Sequence, residues 1–278
     1  VMALSTGMIT TLMRTPKEAA PYARQYIFIC SCGIIFIVGY NVVSGILRGL
    51  GDSKTPLLFV AVACAVNMVL DVVLIHTFHM GAAGAALATI FSQAISLLLA
   101  ILFLKKRGFA FEFSHSDVRL DRPRAKKILR LGLPIALQDG LINISFLLIT
   151  VITNAMGLFA SASVGVVEKI IIFAMLPLSA FSSAVAVMTA QNVGAGKRSR
   201  AEKSMYAGIG CSLVFGVAFY VYAQVNAASL TSLFSTDAAV IRTAALYLRS
   251  YSLDCILVCF VFCPDAFFSG CGHTLFPL

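Results

Sequence analysis

Of the 278 residues in the chain 59% are hydrophobic and only 12% are charged, against roughly 25% charged in ordinary soluble domains. The mean hydropathy is +0.93, and apolar runs of about 20 residues, each enough to cross roughly 30 Å of hydrocarbon, recur throughout. This excludes a water-soluble domain and predicts an all-α, polytopic integral membrane protein, a bundle of spanning helices.

Residues 1–13 are apolar, lack a basic stretch before them and run straight into Arg14. They read as the tail of a helix and not as a signal peptide, so the chain is expected to be a piece of a longer one. Pro16 and Pro21 keep the following loop from continuing as helix. A second span is predicted over 23–47. Its exit, Gly49-Leu50-Gly51-Asp52, is a tight turn of the kind glycine permits, and Pro56 sits in the first turn of a third span reaching residue 78. Gly81 and Gly84 open a fourth, whose small residues let helix backbones approach closely. Residues 105–127 then turn charged and polar. They are expected to be a linker dividing 1–104, part of an N-terminal lobe, from 128–278, part of a C-terminal lobe. Four more spans are predicted over 128–156, 161–193, 205–233 and 238–269, with a glycine-rich basic turn at 194–203.

If successive spans alternate in direction, the net charge of +9 sorts by side. One side gathers Arg48, Lys54, Lys105, Lys106, Arg107, the basic residues of 119–130 and those of 197–203, whereas the other holds only Arg14, Lys17, Arg24, Arg242 and Arg249. The positive-inside rule makes the first side cytoplasmic, with linker 105–127 and turn 194–203 on it. Its charge faces anionic lipid and requires no nucleic acid. The eight cysteines sit in or beside apolar runs and read as small apolar fillers; the stripe Cys255, Cys259, Cys263 lies on one helix and so lacks the multi-segment ligands of a usual metal site.

An internal repeat organises the whole. Tyr22-Ala23-Arg24-Gln25-Tyr26 returns as Tyr247-Leu248-Arg249-Ser250-Tyr251, Ser44-Gly45 returns as Ser269-Gly270, and, after a short deletion, 51–57 lines up with 272–278. Repeats of like orientation need an even number of crossings between them. The full protein is therefore expected to have two parallel six-helix halves, of which this chain covers about helices 3 to 10, a transporter plan with its site near the repeat interface.

Asn67 and Asp71 break the third span's apolar run. Spaced four apart, they lie one above the other on a single helix face, and Thr89 of the next span can come round to meet them. A carboxylate at membrane depth is expensive and marks an ion or substrate pathway. A purely structural role, with Asp71 steadying the bundle, is the plainer alternative. Glu168 and Lys169, adjacent and thus about 100° apart on a helix, cannot pair with each other; they and Asp254 either line a cavity or bridge helices. Asp265 follows Pro264, where it would serve a kink. His76 and His79 read as interfacial residues, without a carboxylate to complete a metal site.

The segments LRGLGDSKTP, NMVLD, GAAGAALAT, LGLPIAL, VEKI and AQNVGAGK, in this order, resemble the multidrug and toxic compound extrusion (MATE) family. The resemblance spans nearly the whole chain. It implies a secondary antiporter of the cell membrane, without cofactor and monomeric, that exports organic, often cationic, drugs in exchange for protons or sodium ions. It also implies an ion-coupling site in the N-terminal lobe to which Asn67, Asp71 and Thr89 correspond. A glutamate found near the Gly-Leu-Pro motif in one branch of the family is Ile142 here, which puts a sodium site of that type in doubt; Asp139 is a candidate substitute.

Three other readings compete. A lipid-linked oligosaccharide flippase or dedicated metabolite exporter would share the bundle plan, but a flippase calls for more intramembrane cations than this chain carries. A membrane enzyme needs a nucleophile and base or a metal set, and no HExxH or GxSxG pattern occurs. A structural subunit would have no use for a buried carboxylate.

Overall fold

A computed structural model of the protein describes Gly7, residues 20–107 and residues 121–277. Apart from Gly7, the predicted 1–13 segment lies outside the described residues, as does most of the linker. The described chain is all helical: α1 (Ala20–Cys32), α2 (Ile34–Gly49), α3 (Lys54–Asp71) with a π-helical turn (Val72–Thr77), α4 (Gly81–Arg107), α5 (Arg122–Ala155), α6 (Leu158–Gly194), α7 (Arg198–Ser232), α8 (Ala238–Tyr251), α9 (Asp254–Leu257) and α10 (Cys259–Gly270). Six stretches, Lys54–Thr77, Gly81–Lys106, Arg122–Ala155, Phe159–Gly194, Arg198–Ser232 and Ala238–Gly270, are long and apolar enough to cross a membrane, and α1 with α2 makes a seventh bent by 52°.

Three predicted spans are less regular than their apolar runs suggest. The second breaks at Gly33, where a Cβ would lie 2.5 Å from Ile90 Cδ1, so α4 packs against the break too closely for any side chain there. The third ends in the π turn, closed by Phe78 N–H donating to the Val73 carbonyl at 3.2 Å. The last is interrupted between α8 and α9, at Ser252 and Leu253. Helix extends into both ends of the charged stretch expected as linker, since α4 runs to Arg107 and α5 begins at Arg122. Asp121 caps α5 by accepting the Arg124 N–H at 3.3 Å, and long basic stems follow a helix while their heads stay in water.

The chain divides into two compact units, residues 1–119 and 120–278. In the first, α4 is the hub, packed against α1, α2 and α3. Asp52 fixes the entry to α3: its carboxylate accepts from the Thr55 N–H at 3.1 Å and from the Thr55 hydroxyl at 2.8 Å. The Tyr40 hydroxyl donates to the Pro56 carbonyl at 2.9 Å and ties α2 to that entry. In the second unit α6 packs against α7, α8 and α10, around Val167, Ile170, Leu178, Ala223, Ala227 and Leu248. The large apolar side chains on the outer faces are exposed, as lipid contact requires, and the buried faces mix Val, Ile and Leu with many small residues, Ala86, Ala88, Ala223 and Ala227 among them.

The cysteine stripe has a packing role. Cys255, Cys259 and Cys263 are fully buried against Gly208, Ser212 and Gly216 of α7, where a Cβ on Gly216 would fall 2.6 Å from the Cys255 carbonyl oxygen. Ser212 Oγ lies 3.7 Å from Cys263 Sγ. Among the described residues no group of three His, Cys, Asp or Glu is placed to hold a metal.

Candidate functional site

The polar residues of the first unit sit where regular helix stops. Asp71 is the last residue of α3 and precedes the π turn; single π turns inserted in α-helices are frequent at functional sites, since they re-aim side chains and loosen the hydrogen-bond ladder. Asn67, one turn earlier, and Thr89 on α4 are, like Asp71, half-buried. Asp71 Oδ1 is buried without any hydrogen-bond partner, an expensive state for an acceptor out of water. The Thr89 hydroxyl spends its proton on the Ala85 carbonyl at 2.9 Å, so it presents only lone pairs. Among the described residues no hydrogen bond joins Asn67, Asp71 and Thr89 to one another; they stand on the adjacent, packed helices α3 and α4 as separate oxygen-bearing groups.

Sequence reasoning passed over Gln93. It lies one turn beyond Thr89 on the same face of α4, and its Oε1 is also buried without a partner. The signal was available as an uncharged amide within an apolar run, though glutamine marks a span less sharply than a carboxylate does.

In the second unit Glu168 of α6 and Asp254 at the start of α9 are half-buried, and both are electrostatic neighbours of Tyr251. The Tyr251 ring lies 5.6 Å from that of Tyr247. Asp254 and the two tyrosines flank the α8–α9 interruption. Lys169 is exposed and forms no ion pair with Glu168. Asp139 on α5 is also exposed, and it is its backbone carbonyl that accepts, from Asn143 Nδ2 at 2.7 Å. Its neighbour Gln138 makes the interhelical contact instead, donating to Asp265 Oδ2 and to the Pro277 carbonyl, each at 3.3 Å. Asp265 therefore pairs across helices, in addition to following Pro264 inside α10. An apolar hollow of about 470 Å³ on α6 and α7, lined by Phe173, Pro177, Phe215 and Phe219 among others, holds none of these charged groups.

The MatE family profile matches residues 1–73 and 134–278. A probable multidrug resistance protein of Bacillus subtilis, YpnP, is 37% identical over 199 residues, 69% of this chain and 43% of that protein. The FAD transporter of Shewanella oneidensis is 27% identical over 244 residues, 86% of this chain and 54% of that one. A solved structure of a MOP superfamily transporter from Pyrococcus furiosus superposes with a TM-score of 0.92 at 26% identity, covering 100% of this chain and 62% of that one. The chain spans about half the length of the curated relatives it matches.

Proposed function

The chain belongs to the MatE family of multidrug and toxic compound extrusion transporters, and on that premise we propose that the whole protein is a secondary antiporter of the cell membrane, exporting organic cations and drugs in exchange for protons or sodium ions. The observation that carries this reading is the buried, unpartnered Asp71 Oδ1 at the junction of α3 and its π turn. An anionic oxygen held at membrane depth with no donor is a seat for a proton or a small hard cation, whose arrival supplies the missing partner. Asn67 and Thr89 add neutral oxygens close in depth on the two packed helices. Loading and release of the ion would bias the α3 end between its α- and π-helical forms, the local change to which alternating access couples. In this scheme 105–127 and 194–203 are cytoplasmic, Glu168, Asp254 and the more exposed Asp139 and Lys169 line the substrate path, and the transporter works as a monomer. The hollow of about 550 Å³ ringed by Arg122, Lys126 and Arg130 at the start of α5 would meet anionic lipid headgroups.

The test is efflux of the fluorescent cation ethidium from vesicles carrying the full-length transporter, wild type against Asp71→Asn, under imposed proton and sodium gradients separately. Gradient-driven efflux abolished by the substitution is expected, and the effective gradient names the ion. Efflux indifferent to the substitution would remove Asp71 from the coupling role. Because one relative is named as an FAD transporter, FAD belongs in the substrate panel; movement of FAD in place of every cation would make the protein a dedicated metabolite exporter.

A further inference from the structure

We propose that Gln93 is the inner stage of the ion pathway, the group that receives a cation, or holds the water that carries a proton, on its way from Asp71 to the cytoplasmic side. The inference rests on the coupling role of Asp71 and adds a direction and a residue to it.

Two anchors set the register of the antiparallel α3–α4 pair. A Cβ on Gly84 would lie 3.2 Å from Leu74 Cβ, and the Ser96 hydroxyl donates to the Phe59 carbonyl at 3.2 Å. Stepping between these anchors at about 1.5 Å per residue puts Asp71 level with about residue 86 of α4, and Asn67 level with about residue 90, beside Thr89. Gln93 comes next. The polar groups thus descend from Asp71 to the Asn67–Thr89 pair to Gln93 in steps of roughly 5 Å, about one helical turn each. They descend toward the ends that carry Lys54, Lys105 and Lys106, the cytoplasmic ends by the positive-inside rule.

Gln93 also points the right way. Ile90 and Leu97 of α4 face Gly33 and Gly39 of the α1–α2 pair, while Ser96 faces α3. On a helical wheel Gln93 falls between these two directions, about 60° from both Ile90 and Ser96, so its side chain enters the wedge where α2, α3 and α4 meet. The surrounding positions Ala86, Ser92, Ser96 and Ala100 are buried. Gln93 Oε1 and Asp71 Oδ1 share an unusual property, both being buried acceptors without a donor. A packing amide would have its oxygen paired to a neighbour, as Ser96 is paired to Phe59. Two unpaired oxygens with the Asn67 and Thr89 oxygens between them are what a migrating cation or a file of waters needs, each stage binding weakly enough to release to the next. The carboxamide exchanges no proton itself; it orients a water through Oε1.

The experiment uses the full-length transporter in proteoliposomes, with ethidium efflux giving turnover and ion-dependent ethidium binding, without turnover, giving the ion midpoint. Gln93→Met keeps the volume and removes the oxygen. It is expected to lower turnover roughly tenfold while leaving the ion midpoint within about twofold of wild type, and Gln93→Glu, which restores acceptor oxygens, is expected to recover turnover with an altered pH dependence. Wild-type turnover in Gln93→Met overturns the proposal, and so does a midpoint shift as large as the turnover loss, which would place Gln93 in the binding site itself. If Gln93→Met fails to fold, Gln93→Asn, with the oxygen drawn back by one methylene, carries the same expectation. Asp71→Asn run alongside separates the failures: normal coupling in that variant sinks the Asp71 reading, whereas loss of coupling there with a normal Gln93→Met sinks the Gln93 stage alone.

Discussion

Gly51 and Gly272 end their helices in the same left-handed turn. Their φ angles are +91° and +86°. Gly51 N–H donates to the Arg48 carbonyl and Gly272 N–H to that of Ser269, both at 3.0 Å, and the following Asp52 and His273 N–H groups reach back to Leu47 and Phe268, both at 2.9 Å. The two glycines, and the residues after them, correspond under the internal repeat, so two segments with few identical side chains stop a helix with one hydrogen-bond pattern. Each glycine takes a conformation that L side chains avoid.

Replacing either glycine by alanine therefore forces a Cβ into the left-handed region, at a cost of about 1–2 kcal/mol. Gly51→Ala and Gly272→Ala in the full-length transporter should each lower the melting temperature in detergent, by similar amounts. Equal melting of Gly51→Ala and wild type would mean that the turn relaxes to another form without loss.

Asp52 does for the start of α3 what Gly51 does for the end of α2, since its carboxylate takes both the N–H and the hydroxyl of Thr55. Asp52→Ala leaves that N–H unpaired and should cost about 1 kcal/mol, within the range of other lost N-caps, whereas Asp52→Asn should retain most of the stability. Thermal melts of the two variants against wild type make the comparison.

The repeat, the spans and the intramembrane carboxylates were legible in the sequence because each leaves a mark in residue type: a motif that returns, an apolar run of sufficient length, a charge where none belongs. The breaks were not. The bend at Gly33 sits tight against Ile90 of another helix, and no pattern within 20–49 announces it. The π turn after Asp71 is likewise invisible, because Val72 to Thr77 would serve an α-helix as well. Asp139 stood out by its charge as a candidate substitute for the absent glutamate, whereas Gln138, one residue earlier, is the side chain that reaches Asp265. A step of one residue turns a side chain about 100° around the axis, and composition alone does not choose between them.

The Gln138–Asp265 contact joins α5 to α10, and both side chains are half-buried. A double-mutant cycle with Gln138→Leu and Asp265→Leu should return a coupling energy of about 1 kcal/mol. Each single variant should destabilise more than the double, because it strands one partner without the other. Strictly additive losses would show that the contact contributes nothing beyond the two residues separately.

A close backbone approach in the second unit, between α7 and the α9–α10 segment, makes one substitution harmful at one glycine and helpful at another nearby. At Gly216 a methyl group would sit 2.6 Å from the Cys255 carbonyl oxygen and 3.3 Å from Cys259 Sγ; the first is backbone, so the helices must part and lose the packing of the thiol stripe. Gly216→Ala should destabilise by about 1–3 kcal/mol, the usual cost of overpacking. Gly210, on the same helix, meets nothing within 4 Å, and there alanine gains only its helix propensity, stabilising by up to about 1 kcal/mol. Melting temperatures that move in opposite directions for Gly216→Ala and Gly210→Ala would establish that contact as the one that fixes the unit. A neutral Gly216→Ala would mean that α7 and α10 slide past each other freely, and the three buried thiols would then be expected to react with maleimide in the folded protein.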